Sequence, residues 1–310
     1  MLTIFSIPKP FAGHVGVIQK NALRSWTFLE PECQVIIFGD EPGIAEAAAE
    51  IGAVHVAEIE RNEHGTPRLD WAFNRAQDLA EHRLTCYLNS DVIALNDLPA
   101  TAAGIEFPQF LMLGERTDLD ITEPLDFSEG WQARLLLRAR KDGSPHGPTG
   151  MDYFVFPTGM VRDMPPFVVG RAGWDNWMVF NARLKKTPVV DTTRAVDLVH
   201  QTHDYAHHPG PLKGTWKDPE SLANRGLLDH ANKTQFLLFD ATWKIKRPGG
   251  KPVRAWRHLR RALDTWPLVY PPAQYPLMRP LVPAYRVVNF VKDKWYWHRV
   301  AKRRRVETRT

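Results

Sequence analysis

Apolar and polar positions along the first 60 residues follow a pattern in which strands and helices alternate. Residues 2–7 form an apolar run of strand length, and residues 14–29 place apolar side chains at helical spacing. A second strand is predicted at 33–38, and an alanine-rich helix leads to a third strand at 53–57. The order strand–helix–strand–helix–strand predicts a parallel sheet with right-handed crossovers, and hence the α/β class.

The next feature is a polar interruption, Asn89-Ser90-Asp91, between two apolar runs. A helix predicted from residue 69 leads into the first of these runs. Burial of a carboxylate without a partner is costly, so we expect Asp91 at the carboxyl end of a parallel strand, where ligands bind in such sheets. Its hard oxygen ligands suit magnesium or manganese. A polar turn between two short strands is the alternative interpretation.

The chain continues to alternate short strands with helices after residue 100. Asp126 followed by Glu129 predicts a capped helix start, and Asp142-Gly143 predicts its end. The Gly- and Pro-rich segment 142–150 is either a mobile loop over a site or a plain linker, and it lacks the ending of a P-loop. The remaining predicted elements are strands at 110–113, 151–156, 189–190 and 195–199 and helices at 126–141 and 171–186.

Composition is that of a folded protein, because 44% of the 310 residues are hydrophobic and 24% are charged. Cys33 and Cys86 both lie beside strand-like runs, so we expect reduced thiols and a cytoplasmic location. The first residues lack the features of a signal peptide, and no run of about 18 uncharged apolar residues predicts a membrane span.

Charge is distributed unevenly along the chain. Residues 251–310 hold 15 lysines and arginines against three acids, a net charge of +12, so the first 250 carry −7 of the total of +5. This division predicts a catalytic domain over residues 1–250 and a basic extension over 251–310. It argues against a nucleic-acid partner, since the positive charge is not spread over the fold.

Histidines are concentrated in one segment, with four of the twelve at positions 200–208. His200 and His203 are candidate metal ligands beside Asp91, because imidazole suits manganese or zinc. A surface histidine-rich turn is the alternative. An independent zinc site is a third possibility, although no His-Glu-x-x-His pattern supports it.

Asp175 lies in the first turn of a predicted helix between Trp174 and Trp177. A carboxylate there interacts favourably with the helix dipole, which is a structural explanation for it. The functional explanation is a general base held against an aromatic wall on which a sugar could stack. Tryptophans at helical spacing are also typical of a core.

These segments together carry a resemblance to a known family. Asn89-Ser90-Asp91 at a strand end, Gly-Trp-Asp-Asn-Trp at 173–177, Asp-Tyr-Phe-Val-Phe at 152–156 and Val-His-Gln-Thr-His-Asp-Tyr at 199–205 resemble GT-A glycosyltransferases. More closely, they resemble a widespread, largely uncharacterised group of bacterial glycosyltransferase-like proteins. The match covers about residues 1–210. It implies a GT-A, Rossmann-like fold: a mixed, mainly parallel sheet flanked by helices, with a nucleotide half to about residue 95, an acceptor half over 96–210 and a helical basic extension.

The resemblance also implies roles for individual residues. A nucleotide-sugar donor would be held through Mn²⁺ or Mg²⁺ on its diphosphate, with Asp91, His200 and His203 as metal ligands. Asn89 departs from the acid that usually begins the Asp-x-Asp motif, and Asp175 corresponds to the acceptor-activating acid of inverting members. The other implied donor-binding residues are Ser6, Ile7, Pro8, Asp40, Arg68, Asn89, Ser90 and Asp91, and the implied acceptor or sugar residues are Asp152, Trp174, Asn176 and Trp177.

The implied function is metal-dependent, inverting transfer of a sugar to a hydroxyl of a glycan or lipid-linked acceptor, in surface polysaccharide assembly. Two alternatives stay open. A nucleotidyltransferase or nucleotide-sugar hydrolase would turn over donor without this acceptor. A non-catalytic glycan- or membrane-binding protein would have kept the fold and lost the chemistry, and Asn89 keeps that alternative open.

The basic extension has its own interpretations. Val253, Trp256 and Leu259 alternate with arginines, and Lys302-Arg303-Arg304-Arg305 lies near the end. Basic, aromatic and amphipathic character together indicate a helix on an anionic membrane surface, which would make the protein peripheral on the inner face of the cell membrane. A helix docked on the catalytic domain and an oligomer contact are the alternatives.

Overall fold

The computed structural model describes residues 1–203, 218–228 and 235–255, together with Thr265, Leu268 and Val269. One compact unit comprises Met1–Ala255. Most of the predicted basic extension, including Lys302-Arg303-Arg304-Arg305 and any membrane contact, therefore lies outside the described residues. No helix in the described ranges is both long and apolar enough to cross a membrane.

Thirteen strands and seven helices are present in the described part of the chain. The strands are β1 Leu2–Ser6, β2 Gln34–Phe38, β3 Val54–Val56, β4 Leu84–Leu88, β5 Val92–Ile93, β6 Leu111–Leu113, β7 Thr117–Leu119, β8 Ser144–Pro145, β9 Tyr153–Pro157, β10 Val189–Asp191, β11 Val199–Gln201, β12 Trp243–Lys244 and β13 Val253–Arg254. The helices are α1 Gly13–Trp26, α2 Ile44–Glu50, α3 Leu69–Leu79, α4 Asp97–Ala103, α5 Trp131–Asp142, α6 Trp174–Leu184 and α7 Pro219–Gly226.

Nine strands form the main sheet in the order β13-β12-β10-β6-β9-β4-β1-β2-β3. Strands β3, β2, β1 and β4 pair in parallel, and so do β6, β10 and β12. Strand β9 runs antiparallel between β4 and β6, and β13 is antiparallel at one edge. The predicted α/β class, with a mixed and mainly parallel sheet, is confirmed.

The main sheet is buried on both faces, as its apolar strands predict. Phe5 and Tyr87 point to one face, where they pack against Phe73 and Trp174 of the flanking helices. Their neighbours Ile4, Cys86 and Leu88 belong to the core on the opposite face, which includes Leu23 and Trp26 of α1. The Trp26 indole donates a hydrogen bond to the carbonyl of Val92, 3.0 Å away, and so ties α1 to the strand after the Asn-Ser-Asp turn.

A second sheet of four short strands has the order β5-β11-β7-β8. Val199, Ile93 and Leu119 pack into a separate apolar cluster with Trp131 and Leu135 of α5. Because side chains alternate between the faces of a sheet, His200 and Asp118 point to the other face of these strands. This small sheet therefore has one apolar face and one face that carries ionisable groups.

Several predicted boundaries were wrong. Helix α5 begins at Trp131 after Gly130, which has φ of +77°, and Asp126 instead accepts hydrogen bonds from Ser128 within the preceding turn. Part of the segment 142–150 is strand β8 rather than irregular loop. Residues 195–198 are not strand, and Val253–Arg254 is an edge strand rather than the beginning of a helix, because it pairs with Trp243–Lys244.

Candidate functional site

A cleft of about 640 Å³ opens at the carboxyl ends of β1 and β4. Its walls are the segment after β1, the Asn-Ser-Asp turn after β4, the start of α6 and the residues after β11. This is the edge at which α/β sheets bind ligands. The lining residues used below are Ile7, Pro8, Lys9, Asn89, Ser90, Asp91, Arg116, Asp152, Arg171, Trp174, Asp175, His200 and His203.

The turn between β4 and β5 is closed by local hydrogen bonds. The amide of Val92 donates to the carbonyl of Asn89 at 3.1 Å, and Ser90 Oγ donates to Gln19 Oε1 at 3.0 Å. Asn89 Nδ2 donates to Asp152 Oδ1 at 2.8 Å. Asn89 and Ser90 thus hold the turn in place, and Asp91 is left facing the cleft.

Asp91 meets the two predicted histidines at this point. Its Oδ2 lies 3.1 Å from His203 Nε2 and 3.7 Å from His200 Nε2, and ligand atoms of the three residues all lie within 4.8 Å of one another. Asp91 Oδ1 is buried and has no hydrogen-bond partner among the described residues. A buried carboxylate oxygen in that condition is costly unless a cation binds it. One carboxylate and two imidazoles therefore fit a divalent transition metal.

Strand pairing explains why these three residues converge. Strand β11 is antiparallel to β5 and places His200 opposite Val92, the residue after Asp91. Gln201, which is fully buried, donates from its backbone and from its side chain to the Asp91 carbonyl, each at 3.1 Å. Its side chain also donates to Ile18 and accepts from Asn21. Gln201 therefore fixes the backbone of Asp91, and the histidines on either side of Gln201 reach the carboxylate.

The carboxylates of this cluster and the imidazole of His200 shift one another's pKa values. Burial alone would lower the pKa of His200, but the carboxylates of Asp118 and Asp91 outweigh it and raise that pKa to about 9. Burial would raise the pKa of Asp91, whereas hydrogen bonds from His200 and His203 hold it well below its usual range. His200 thus pairs as a cation with Asp91, and a bound metal would replace its proton.

Three further residues form a network beside His200 that the sequence did not reveal. Asp118 Oδ1 lies 3.0 Å from His200 Nδ1, and Asp118 Oδ2 lies 2.7 Å from His146 Nδ1. Arg116 Nε donates to Asp118 at 2.9 Å, and Arg116 Nη1 donates to Asp152. The only sequence signal was the alternation Arg116-x-Asp118, which on a strand places both side chains on one face.

Asp175 lies at the start of α6 and lines the cleft. Gly173, with φ of +116°, precedes the helix, and burial raises the pKa of Asp175 to about 6 despite backbone hydrogen bonds that oppose the shift. A carboxylate whose pKa lies near neutrality is suited to proton transfer. Trp174 lines the cleft but packs chiefly in the aromatic core against Tyr87 and Phe154.

Five other predicted site residues do not line the cleft. Arg68 pairs with Asp70 and Glu60, and Asp40 pairs with Arg61 at 2.5 Å. Both charged groups lie outside the lining of the cleft. Asn176, Trp177 and Ser6 also lie outside this lining: Asn176 donates to the Phe236 carbonyl, Trp177 packs on Phe167, and Ser6 is buried in β1.

Two cationic side chains of the cleft were not among the predicted site residues. Lys9 follows β1, and burial lowers its pKa, although the nearby Asp91 carboxylate opposes the shift. Arg171 precedes α6 and pairs with Glu220 at 2.5 Å and Asp218 at 3.4 Å. These cations lie in the cleft that contains Asp91 and Asp175.

Comparison with known proteins gave matches among solved structures. No protein-family model matches the chain, and no curated protein sequence matches it. The structure is similar to TarS from S. aureus, with 15% identity over 65% of this chain and 36% of that one and a TM-score of 0.43. The chain therefore spans about a third of the length of TarS.

Two further solved structures are also similar to this chain. The mannosyltransferase PcManGT from Pyrobaculum calidifontis, in complex with GDP-Man and Mn²⁺, shares 13% identity over 95% of this chain and 87% of that one, with a TM-score of 0.41. Glucosyl-3-phosphoglycerate synthase from M. tuberculosis shares 15% identity over 74% of this chain and 79% of that one, also with a TM-score of 0.41.

Proposed function

We propose that the protein is a metal-dependent glycosyltransferase that moves a sugar from a nucleoside-diphosphate donor to a hydroxyl acceptor. The observation that carries this proposal is the cluster of Asp91, His200 and His203: Asp91 Oδ2 faces both imidazoles, and Asp91 Oδ1 is buried without a hydrogen-bond partner among the described residues. The cluster shares its cleft with Asp175, a carboxylate of raised pKa. The GT-A resemblance of the segments at 89–91, 173–177 and 199–205 agrees with this arrangement.

Asp91, His200 and His203 would hold a divalent cation. When bound, such a cation would supply positive charge that stabilises the nucleoside diphosphate as its bond to the sugar breaks. Two of the three ligands are imidazoles, which favours Mn²⁺ over Mg²⁺, because Mg²⁺ prefers oxygen ligands alone. Lys9 and Arg171 line the same cleft and would contribute further positive charge to the phosphates.

Asp175 would act as the general base. It accepts the proton of the acceptor hydroxyl as that oxygen attacks the anomeric carbon of the donor, a role worth about 10²–10⁴-fold. Direct attack from the face opposite the diphosphate inverts the configuration at that carbon. Asp152 is less suited to this role, because Asn89 binds one of its oxygens and Arg116 the other.

Ile7 and Pro8 line the cleft beside the Asn-Ser-Asp turn and are the residues that would contact the base and ribose of the donor. The acceptor would be a glycan or a lipid-linked glycan of a surface polysaccharide pathway. The protein would then act in the cytoplasm, and the basic residues of 251–310 would bring it to the anionic inner face of the cell membrane.

The test is thermal unfolding against a panel of nucleoside diphosphates, with and without Mn²⁺. A ligand at about 100 times its dissociation constant adds roughly 2.7 kcal/mol to the free energy of unfolding. We expect a Mn²⁺-dependent shift with one nucleotide that is absent in Asp91→Ala. The matched control is Asp78→Asn, an exposed carboxylate that pairs with Arg162 outside the cleft. An equal shift in Asp91→Ala and the unaltered protein would contradict the proposal.

Product analysis separates the alternatives. A glycosyltransferase needs an acceptor for full turnover, and an inverting one yields the anomer opposite to that of the donor. Release of free sugar or of a nucleoside monophosphate at the same rate with and without acceptor would instead identify a hydrolase or nucleotidyltransferase. Donor binding with no turnover under any acceptor would identify a binding protein.

A further inference from the structure

The polar face of the small sheet connects the cation site to a second layer of side chains. His200 on β11 and Asp118 on β7 are direct neighbours in the register of two parallel strands. Both side chains therefore point to the same face, and their Nδ1 and Oδ1 atoms lie 3.0 Å apart. The opposite ring nitrogen of His200, Nε2, faces the Asp91 carboxylate at 3.7 Å. His200 thus lies between two carboxylates, with one nitrogen directed to each.

This arrangement determines which nitrogen of His200 can bind a metal. A neutral imidazole carries its proton on one nitrogen and presents a lone pair on the other. Asp118 Oδ1 lies 3.0 Å from Nδ1 without the alignment of a hydrogen bond, and its negative charge favours a proton on Nδ1, which leaves the lone pair on Nε2, the atom that faces Asp91. Carboxylates that orient metal-bound histidines in this way fix the ring and raise its basicity.

Asp118 is itself held from two sides. Arg116 Nε binds the oxygen that faces His200, and His146 Nδ1 lies 2.7 Å from the other oxygen. His146 is one-third exposed and lies just after β8, whereas His200 is buried. The network therefore runs from His146 through Asp118 and the buried His200 to Asp91, which lines the cleft.

We propose that Asp118 is a positioning residue for the cation site: it holds His200 so that Nε2 presents a lone pair beside Asp91, while Arg116 and His146 fix its own orientation. This inference rests on the proposed function, because it requires a divalent cation at Asp91. Asp118 does not contact the cation in this account. It acts through His200 alone, and that distinguishes its role from a general structural one.

The first experiment measures Mn²⁺ binding by the full-length protein without nucleotide, from the electron paramagnetic resonance signal of the free ion. Asparagine at position 118 keeps an oxygen for Arg116 Nε but removes the negative charge that favours a proton on Nδ1 and raises the basicity of the ring. We therefore expect Asp118→Asn to weaken Mn²⁺ binding on the order of 10–100-fold. Glu123→Gln is the control, because it removes one negative charge near the same sheet from an exposed carboxylate that pairs with Arg138.

A double-mutant cycle tests whether Asp118 acts through His200. If it does, the loss caused by Asp118→Asn disappears when His200→Gln is already present, since the histidine to be positioned is gone. His146→Ala, at the exposed end of the network, should show a smaller loss of Mn²⁺ affinity with the same dependence on His200. His146→Ala also tests the positioning role if Asp118→Asn does not fold.

The outcomes separate this inference from the function on which it rests. Loss of Mn²⁺ binding in Asp91→Ala, with unchanged affinity in Asp118→Asn and His146→Ala, would overturn the positioning role and leave the cation site intact. Effects of Asp118→Asn and His200→Gln that simply add would also overturn it. Unchanged Mn²⁺ affinity in Asp91→Ala would overturn both the cation site and the role of Asp118.

Discussion

Asn89 occupies the place where the Asp-x-Asp motif usually begins, and its contacts account for the amide. Its Nδ2 donates to Asp152, whose other oxygen is bound by Arg116. An aspartate at position 89 would lose this donor and place a second negative charge against Asp152. The side-chain amide of Asn89 therefore fits the hydrogen bonds around it, and the absence of an acid at this position does not by itself indicate loss of catalytic activity.

Asp175 gives a prediction at the scale of one residue. We expect Asp175→Asn to lower kcat by about 10²–10⁴-fold while donor binding stays nearly unchanged, because only proton transfer is removed. Burial raises the pKa of this carboxyl to about 6, and the base works only when ionised. The kcat/KM of the unaltered enzyme should therefore fall as the pH drops through about 6.

The measurement is a pH profile of steady-state turnover for both proteins. Glu46→Gln is a matched control, because Glu46 also lies in the first turn of a helix, α2, but is exposed and outside the cleft. Full kcat in Asp175→Asn, or a product of retained configuration, would remove Asp175 from the role of general base.

Helix α6 gives a prediction at the scale of an element. Gly173 has φ of +116°, and a Cβ added there would lie 3.3 Å from Leu228 Cδ1. Gly173→Ala should therefore lower the free energy of unfolding by about 1–3 kcal/mol and also lower kcat, since the start of α6 carries Asp175. Chemical denaturation and initial rates measure the two effects.

Gly159 supplies the comparison for that prediction. Its φ is +91°, but a Cβ there would meet no atom of the described residues within 4 Å. Gly159→Ala should cost about 1–2 kcal/mol from backbone strain and leave kcat unchanged. An equal loss of kcat in both variants would show that stability, not the placement of α6, controls the rate.

The elements also show how far sequence reasoning reaches. The pattern of apolar residues predicted β1, α1, β2, α2, β3 and α3 to within a few residues, because all of them except the edge strand β3 bury a continuous face. It missed β7 and β8, which have three and two residues and no periodic pattern of their own. Strand β7 pairs with β11 and β8 pairs with β7, and these are tertiary contacts, so Asp118 and His146 could not be assigned to the site from the sequence.

The same limit applies to site residues at helix starts and strand ends. The convergence of Asp91 with His200 and His203 was predicted from the position of each at a strand end, and the structure brings the three together. Arg68 and Asp40 had similar positions, yet each has a nearby partner of opposite charge. Position in the fold was predictable from the sequence, whereas the partner of each charge was not.

Asp97 gives a prediction for the whole molecule, because it joins α4 to the segment before β11. Its Oδ2 accepts from the Asp197 amide at 2.8 Å, and burial raises its pKa to about 7. The folded state therefore binds a proton that the unfolded state releases near pH 4. Stability contributed by this proton is present at low pH and is lost as the pH rises from about 4 to about 7.

We expect the free energy of unfolding to fall between pH 5 and pH 8 by about 2 kcal/mol more in the unaltered protein than in Asp97→Asn, after allowance for solvent screening. Urea denaturation at the two pH values measures this difference, with Asp78→Asn as the control for an exposed carboxylate. The same pH dependence in all three proteins would contradict the assignment.

The basic extension gives a second prediction at this scale. Each lysine or arginine near an anionic membrane contributes about 1 kcal/mol, so replacing Lys302, Arg303, Arg304 and Arg305 by glutamine should weaken binding on the order of a thousandfold. Flotation with phosphatidylserine vesicles measures the binding of each protein to the membrane. Replacing the matched set Arg134, Arg138, Arg140 and Lys141 of α5 is the control. Equal recovery of all proteins in the soluble fraction would exclude the membrane contact.

The pairing of β5 with β11 has a consequence for how the protein is made. Asp91 and His203 are separated by 112 positions, and Gln201 anchors the Asp91 backbone. A growing polypeptide therefore cannot assemble the three ligands until residue 203 has left the ribosome. Under the proposed function, a chain that ends before residue 203 lacks one ligand of the cation, so binding of the ion requires segments from both halves of the catalytic domain.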